Sequence, residues 1–324
     1  MGAPVVYVAL QQFAEADDRP LRLLQEAGFE VRRNTVGRRL RKEDLLELLP
    51  GVDAVLAGVE PYDAEVLATL PKLRCISRCG VGTDAIDLEE ARRRGIAIYT
   101  TADEVVEPVA QMTVAMMLAL ARNLPQHGVD AHGGVWQKRS GALLSEWTIG
   151  LIGFGRIGRK VAEYLRVFGP RLLVADPALR AAEAPESLEL PALLAQADLV
   201  SIHATRPAAE GPLVGREELA MMKRGSYLVN TARGFLVDEA ALADALKAGH
   251  LAGAALDVFQ TEPYTGPLAT LPNVLCTPHV ATLTRASRAA MEWRCARQVV
   301  DHVLAPLAAA RRAECPAPTR GGSE

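Results

Sequence analysis

Three polar side chains follow predicted β-strands in the second half of the chain: Arg233 in LVNTARG, Glu262 in DVFQTEP and His279 in LCTPHVA. The planar guanidinium of an arginine can hold a carboxylate through two hydrogen bonds or polarise a carbonyl oxygen. A histidine exchanges a proton near neutral pH, and a carboxylate beside it favours the protonated imidazolium. Together these residue types suit proton transfer at an oxygen of an acidic substrate.

Taken singly, each of the three has a structural explanation. A histidine after a strand is often a hydrogen-bonded structural residue, and an arginine or a glutamate is often a solvated surface group. All three nevertheless follow strands of one alternating pattern, and open α/β sheets bind their ligands at the carboxyl ends of their strands. Their combination therefore predicts a functional site.

A glycine-rich turn precedes them in the stretch IGLIGFGRIGRKV. Gly153, Gly155 and Gly158 follow a short apolar run, and the apolar spacing after them is helical, which predicts a strand, a tight turn and a helix. In that context the first glycine permits the turn, the second lets the backbone approach a pyrophosphate, and the third lets the helix pack on the strand. The alternative is a structural turn that binds nothing.

Asp176 lies at the end of the next predicted strand. Its carboxylate can accept hydrogen bonds from the adenosine ribose of a dinucleotide, and its charge would repel a 2′-phosphate. These observations favour NAD over NADP. Three basic side chains, Arg156, Arg171 and Arg180, could instead stabilise an extra phosphate, so that alternative stays open.

Around these motifs the chain alternates short β-rich runs with helical patterns, which predicts parallel sheets covered by helices. One series occupies about the first hundred residues, and a second begins after Trp147. A long apolar helix is predicted between them, opened at Glu107 and Pro108 and closed by Arg122 and Asn123, and another is predicted over residues 285–305. With 324 residues the chain is long enough for two domains.

Composition argues against several classes of protein. The 36 basic and 39 acidic residues give a net charge of −3, which favours neither a nucleic-acid partner nor an anionic membrane. The longest apolar stretch, residues 114–121, is far shorter than the roughly 20 residues of a membrane span. The N-terminal stretch lacks the marks of a signal peptide, so a cytoplasmic protein is expected.

The cysteines are odd in number and include no CxxC pair, so free thiols and no metal site are expected. They are Cys75, Cys79, Cys276, Cys295 and Cys315.

The order of the motifs, GxGxxG, Asp, TARG, TEP and TPH, resembles that of the NAD-dependent D-2-hydroxyacid dehydrogenase family. The likeness covers nearly the whole chain and extends to phosphoglycerate dehydrogenases without a regulatory domain. In the family an arginine binds the substrate's carboxylate and carbonyl, a histidine is the acid–base catalyst, and a glutamate is its partner. By position the resemblance gives these roles to Arg233, His279 and Glu262. Formate-oxidising relatives carry Gln instead of the Glu, so Glu262 favours a hydroxyacid.

The resemblance also implies binding residues. The loop SRCGVGTD is similar to the one whose backbone amides hold the substrate carboxylate, which implicates Cys79, Gly80, Val81 and Gly82 together with Arg233. Asp257 matches the residue that contacts the nicotinamide carboxamide. The full set expected to bind the cofactor is Gly153, Gly155, Arg156, Ile157, Gly158, Asp176, Thr205, Ala232 and Asp257.

For the fold, the resemblance implies two doubly wound parallel-sheet domains of the Rossmann or flavodoxin type with a cleft between them. A substrate-binding domain would comprise residues 1–99 and 285–324, and an NAD-binding Rossmann domain, residues 100–284, would be inserted in it. Family members are usually homodimers through an arm that follows the interdomain helix, here GGVW. Domain closure would exclude water before hydride transfer.

Three positions depart from the family pattern. Thr205 replaces a common Pro near the adenine, Gln111 replaces a Glu, and Thr282 replaces a Gly just after the histidine, where it could narrow the substrate pocket. The basic run VRRNTVGRRLRKED could complement a substrate phosphate or form a solvated charged face. The identity of the hydroxyacid is therefore left open.

Two functions remain at this stage. The first is an NAD-dependent oxidoreductase that transfers hydride between a D-2-hydroxyacid, phosphorylated or not, and its 2-keto acid. The second is an NAD(H)-sensing, corepressor-like binding protein, because the same fold can serve binding alone.

Overall fold

The computed structural model describes residues 2–179, 186–205 and 211–314, with the backbone alone from residue 305 onward. The chain folds into two compact units. One unit comprises Met1–Val105 and Thr284–Glu324, and the other comprises Val106–Leu283. The chain therefore crosses between units close to Val105 and to Leu283, whereas the sequence predicted boundaries at residues 99 and 284.

The first unit carries five short strands and five helices within the described residues. They are β1 (Val5–Val8), α1 (Arg19–Glu26), β2 (Glu30–Arg33), α2 (Lys42–Leu48), β3 (Ala54–Ala57), α3 (Ala64–Ala68), β4 (Cys75–Arg78), α4 (Leu88–Arg93), β5 (Ala97–Thr100) and the long helix after the second crossing, Arg285–Glu314, which is α11 in chain order.

All strands of this unit are parallel, in the order β2-β1-β3-β4-β5. The sequences VVYV of β1 and AVLA of β3 are buried along their whole length, as central strands covered on both faces must be. The edge strand β2, EVRR, is largely exposed. Two helices begin at aspartates that accept a backbone hydrogen bond, Asp63 from Val66 N and Asp87 from Glu90 N.

The second unit contains six strands and six helices in its described part. They are α5 (Val106–Ala121), α6 (Leu124–His132), β6 (Thr148–Ile152), α7 (Arg156–Leu165), β7 (Arg171–Ala175), α8 (Leu190–Gln196), β8 (Leu199–Ile202), α9 (Arg216–Met221), β9 (Ser226–Asn230), α10 (Glu239–Lys247), β10 (Leu251–Leu256) and β11 (Val274–Cys276).

These strands are also parallel, in the order β11-β10-β9-β8-β6-β7. In both units the first strand lies between the second and the third, which is the flavodoxin-like order of doubly wound sheets. The predicted fold class, two doubly wound parallel sheets, is confirmed. The strand order reverses at β6, and this is where such sheets bind their ligands.

The first long helix ends where the sequence predicted, and the second runs further. The first ends at Ala121, directly before Arg122 and Asn123, and Asn123 takes the left-handed conformation with φ 51° before α6 begins at Leu124. The helix predicted to end at residue 305 continues to Glu314. Within the described ranges, none of the helices combines the length and the apolar character that a membrane span requires.

Candidate active site

The predicted functional residues of the second unit lie after the carboxyl ends of its strands. Arg233 follows β9, Asp257 and Glu262 follow β10, and His279 follows β11. Because β9, β10 and β11 are neighbours in a parallel sheet, the loops after them share one edge of that sheet.

His279 and Glu262 form a hydrogen-bonded pair. Nδ1 of His279 lies 2.9 Å from Oε2 and 3.1 Å from Oε1 of Glu262. The backbone amide of Phe259 donates to Oε1 of the same carboxylate at 3.2 Å, which helps to fix the orientation of the Glu262 side chain. With Nδ1 turned to the carboxylate, Nε2 is the ring nitrogen directed away from Glu262. The side chain of His279 is 37% exposed.

Asp257 fastens the loop that carries His279. It is fully buried, and its Oδ1 accepts hydrogen bonds from Thr277 Oγ1 at 2.6 Å and from Val280 N at 2.9 Å. Its Oδ2 accepts from Ala281 N at 2.9 Å. These contacts lie on both sides of His279 and hold its backbone at φ 55°, a left-handed conformation that residues other than glycine rarely adopt. Sequence reasoning gave Asp257 a cofactor contact and missed this positioning role.

Arg233 is placed by a tight turn after β9. The Asn230 side chain accepts from Ala232 N at 3.0 Å and donates to Arg233 O at 2.8 Å. At Gly234 the two loops touch, since a Cβ there would lie 1.9 Å from the carbonyl carbon of Phe259. Only glycine fits at that point, so the loop of Arg233 is fixed against the loop that leads to Glu262. Arg233 as a residue is half-buried.

The glycine-rich loop has the geometry that the sequence predicted. Gly153 has φ 93°, and a Cβ on it would lie 2.6 Å from Ala204 N. A Cβ on Gly158 would lie 2.4 Å from Gly153 O, so the helix packs directly on the turn. A Cβ on Gly155 would meet nothing within 4 Å, and no side chain caps α7, which begins with Arg156 and Ile157. This open helix N-terminus fits a dinucleotide pyrophosphate.

Asp176 adjoins this loop as predicted. Its Oδ2 accepts from Phe154 N at 2.7 Å, and its Oδ1 accepts from Ala178 N at 2.8 Å. Of the basic side chains considered for a 2′-phosphate, Arg171 begins β7, at the opposite end of that strand from Asp176, and forms an ion pair with Glu186 at 2.6 Å. Arg180 lies outside the described residues.

One histidine at this loop was missed by the sequence analysis. His203 follows β8, its Cβ would lie 3.6 Å from a Cβ on Gly158, and its Nε2 lies 3.0 Å from Ser201 Oγ. Burial lowers the pKa of His203 to about 4, so the ring is neutral near pH 7. In the sequence, the position of His203 directly after a predicted strand could have marked it as a site residue. Thr205, two residues on, is exposed.

In the first unit, the loop expected to hold a carboxylate is rigid. Gly80 has φ 139°, its amide donates to Thr101 Oγ1 at 2.7 Å, and Thr101 N donates to Gly80 O at 3.0 Å. The amide of Cys79 donates to Ala57 O at 2.8 Å. Two of the four amides expected to bind substrate are thus engaged within the protein. Val81, which is exposed, and Gly82 are left as candidates.

Three of the six basic side chains in the run that begins in β2 pair with carboxylates. Arg38 pairs with Asp44 at 2.6 Å, and Lys42 lies 2.6 Å from Asp63 and 2.7 Å from Glu65. Hydrogen bonding to Arg38 lowers the pKa of Asp44, and hydrogen bonding to Lys42 lowers the pKa of Asp63. Further partners in the run are Arg32 with Glu30, Arg33 with Phe13 O, and Arg39 with Val59 O.

No metal centre is present among the described residues, where no group of three or more His, Cys, Asp and Glu side chains could hold an ion. Four of the five cysteines fall in this part of the chain and are free thiols. Cys315 lies outside it.

Comparisons with known proteins agree with this arrangement. Residues 114–281 match the family model described as D-isomer specific 2-hydroxyacid dehydrogenase, NAD binding domain. The chain is 38% identical over 275 residues to a D-3-phosphoglycerate dehydrogenase of Mycobacterium tuberculosis, covering 82% of this chain and 51% of the relative. It is 34% identical to a hydroxypyruvate reductase of Thermotoga maritima, covering 83% and 89%.

Among solved structures, the TT0316 protein of Thermus thermophilus superposes with a TM-score of 0.84 at 37% identity, covering 94% of this chain and 97% of that one. A D-lactate dehydrogenase of Aquifex aeolicus, complexed with NAD and lactic acid, gives 0.81 at 27% identity, covering 94% and 96%. The chain spans about half the length of the D-3-phosphoglycerate dehydrogenases that it matches. The matched domain identifies NAD as the cofactor, and the chain belongs to the D-isomer specific 2-hydroxyacid dehydrogenase family.

Proposed function

We propose that this protein is an NAD-dependent oxidoreductase that interconverts a D-2-hydroxyacid and the corresponding 2-keto acid. The observation that carries the proposal is the His279–Glu262 pair, with Nδ1 2.9 Å from Oε2, on a loop that buried Asp257 fastens. Relatives named phosphoglycerate dehydrogenase, hydroxypyruvate reductase and glyoxylate reductase support this reaction class. No observation on the described residues favours the NAD(H)-sensing, corepressor-like alternative.

Cofactor binding is assigned to the loop after β6. The amides at the start of α7, from Gly155 to Ile157, would hold the pyrophosphate, and Asp176 would hold the adenosine ribose. Thr205, Ala232 and the carboxamide contact of Asp257 stay predictions. When bound, NAD supplies the acceptor or donor of the hydride.

His279 exchanges the proton. In the direction of keto-acid reduction, the Nε2–H of the imidazolium donates to the substrate oxygen, and in the reverse direction neutral Nε2 accepts the hydroxyl proton. Glu262 holds Nδ1–H, fixes the ring orientation and stabilises the positive charge that the ring carries before it donates. The carboxylate itself is not required to take up a proton.

Arg233 would bind and polarise the substrate. Its guanidinium would bind the carboxylate and the carbonyl oxygen together, which orients the reacting carbon and stabilises negative charge on the oxygen. The close contact of the two loops at Gly234 supports this role, because it holds the backbone next to Arg233 in place. A group that orients the substrate must itself be held in place. That the amides of Val81 and Gly82 bind the substrate carboxylate stays a prediction.

The ion pairs of the basic run bear on whether the substrate carries a phosphate. Because Arg38 and Lys42 already pair with carboxylates at 2.6 to 2.7 Å, the basic run resembles a structural surface more than a phosphate receptor. This supports a 2-hydroxyacid without a phosphate. Thr282, half-buried three residues after His279, adds bulk where the family commonly has glycine, which favours a compact side chain on the substrate.

We also propose a homodimer in the cytoplasm, with residues 1–99 and 285–324 as the substrate-binding domain and residues 100–284 as the NAD-binding domain. The segment formed by α6 and the arm after it supports the dimer, since Val129 in the helix is 69% exposed and Trp136 in the arm is 89% exposed. Large apolar side chains exposed together are typical of an interface.

Turnover tests the function. Purified protein is given NADH with glyoxylate, pyruvate, hydroxypyruvate, phosphohydroxypyruvate, 2-ketoisocaproate and phenylpyruvate, and the panel is repeated with NADPH. We expect NADH oxidation with one or more unphosphorylated keto acids and a lower kcat/KM with NADPH. A preference for phosphohydroxypyruvate would refute the assignment of the basic run. No oxidation of NADH by any keto acid, with NADH binding intact, would refute the enzymatic function.

A further inference from the structure

Two cysteines meet where β4 contacts α11 in the first unit. Ser77 on β4 hydrogen-bonds Gln298 on α11, with 2.7 Å between Oγ and Oε1. Cys79 lies two residues after Ser77, on the same face of the extended chain, and Cys295 lies three residues before Gln298, on the same face of the helix. The thiols of Cys79 and Cys295 therefore lie at the same contact, close enough for each to affect the ionisation of the other.

The proposed reaction uses neither of these side chains. Cys79 is 8% exposed and Cys295 is fully buried, yet Cys79 directly precedes Gly80, whose amide and carbonyl are tied to Thr101. A chemical change at Cys79 is therefore transmitted to the stretch that carries Val81 and Gly82.

The two thiols differ in reactivity. The neighbouring thiol of Cys295, with a smaller contribution from the charge of Arg288, lowers the pKa of Cys79 despite its burial and the opposing charge of Glu292. Burial raises the pKa of Cys295 well above its usual range. Since the thiolate is the nucleophile, Cys79 is the attacking sulfur and Cys295 the resolving one.

We propose that Cys79 and Cys295 are a modification site at which hydrogen peroxide oxidises the two thiols to a reversible disulfide between β4 and α11. The Cys79 thiolate attacks one peroxide oxygen, so that an S–O bond forms, the O–O bond breaks, and hydroxide leaves and is protonated to water. The Cys295 thiol then attacks the Cys79 sulfur; the S–S bond forms, the S–O bond breaks, and the second water leaves. Two thiols are oxidised and one peroxide is reduced, and a dithiol reductant restores both by exchange.

One consequence rests on the proposed function. Because the disulfide draws Cys79 towards α11, the amides that follow it move away from their position in the reduced protein. The apparent KM for the keto acid is therefore higher in the oxidised protein, and reduction with dithiothreitol returns it to the starting value.

Peptide mapping tests the site directly. The full-length protein is reduced, freed of reductant, treated with hydrogen peroxide and quenched with catalase, and its remaining thiols are alkylated before digestion with trypsin. Cys79 then lies in peptide 79–92, Cys295 in peptide 295–297 and Cys75 in peptide 75–78, so each can be followed separately. We expect peptides 79–92 and 295–297 to be joined, with two of the five thiols lost. Dithiothreitol should release both peptides.

Two variants make the test specific. Cys276→Ser, in the second unit, should form the same cross-link as the wild type, whereas Cys295→Ala should lose no thiol pair and accumulate higher oxidation states at Cys79. Recovery of both cysteines in alkylated form, or over-oxidised Cys79 without a cross-link in the wild type, overturns the proposal. Because this assay needs no substrate, a cross-linking protein that reduces no keto acid would overturn the proposed function and leave the modification site standing.

Discussion

The carboxylate of Glu262 presents both of its oxygens to Nδ1 of His279, at 2.9 and 3.1 Å. The pair lies on two loops of one sheet edge. A backbone amide holds Glu262, and Asp257 holds the chain before His279 through the Thr277 hydroxyl and after it through the amides of Val280 and Ala281. A histidine oriented in this way keeps Nε2 as the nitrogen that exchanges a proton with substrate.

Removing the imidazole should abolish proton exchange and spare cofactor binding. For His279→Ala we expect kcat to fall by at least about a hundredfold, the usual contribution of general acid–base catalysis. NADH affinity, measured by fluorescence titration, should stay within twofold of the wild type, on the order of experimental error. His132→Ala, an exposed histidine in α6, is the matched control. Wild-type turnover by His279→Ala would remove this residue from the mechanism.

Glu262→Gln keeps the shape of the partner and removes its charge. The imidazolium then loses its counter-charge, so kcat for keto-acid reduction should drop by about tenfold or more while KM changes little. Steady-state kinetics in the direction of reduction measures both constants. If kcat were unchanged and only KM rose, Glu262 would be a binding residue.

Arg233→Lys retains the positive charge but not the two-pronged geometry. We expect KM for the keto acid to rise and kcat to fall, together lowering kcat/KM by roughly a hundredfold, because a point charge cannot hold a carboxylate and a carbonyl at once. The variant should bind NADH as the wild type does. An unaltered KM would place the carboxylate elsewhere.

Asp176→Ala should relax the choice of cofactor. Without the carboxylate the ribose loses a hydrogen-bond acceptor and a 2′-phosphate meets no repulsion, so the ratio of kcat/KM for NADH over NADPH should fall by about tenfold or more. Arg171→Ala is the matched control, because this arginine is paired with Glu186 at the other end of β7 and should leave the ratio unchanged. An unmoved ratio in Asp176→Ala would show that the ribose contact is wrongly assigned.

His203 predicts a pH dependence of stability. Because burial lowers its pKa to about 4, the unfolded chain binds the extra proton first, and the native state loses stability as pH falls from about 6.5 towards 4. Between pH 7 and pH 5 this amounts to about 1–2 kcal/mol in the free energy of unfolding. Urea denaturation at both pH values should show a smaller loss for His203→Gln than for the wild type. Equal losses would indicate that His203 does not titrate in this range.

Much of the fold was readable from the sequence because central parallel strands are apolar on both faces. VVYV, AVLA and TIGLI are such runs, and each is a strand in the sheet. The glycine turn could also be predicted from the sequence, since the positive φ of Gly153 and the close packing at Gly158 exclude side chains and so require glycine. The end of the long helix near Asn123 was also indicated, whereas α6, which begins at Leu124 directly after it, was not predicted.

What sequence reasoning missed at the site depends on partners distant in the chain. Lys42 pairs with Asp63, and Asp257 binds the amide of Ala281, more than twenty residues later in the chain. Cys79 lies near Cys295 only because α11 packs on β4. Nor could the spacing show that the amides of Cys79 and Gly80 are already engaged. Such contacts follow from tertiary packing, which no local pattern encodes.

The configuration of the product tests the central claim most directly. The protein is incubated with NADH and each keto acid of the panel until NADH is consumed, and the hydroxyacid formed is resolved by chiral chromatography. We predict the D-enantiomer alone, with one hydroxyacid formed for each NADH oxidised. An L-hydroxyacid, a racemic product, or NADH consumption without any hydroxyacid would contradict the assignment of this protein as a D-2-hydroxyacid dehydrogenase.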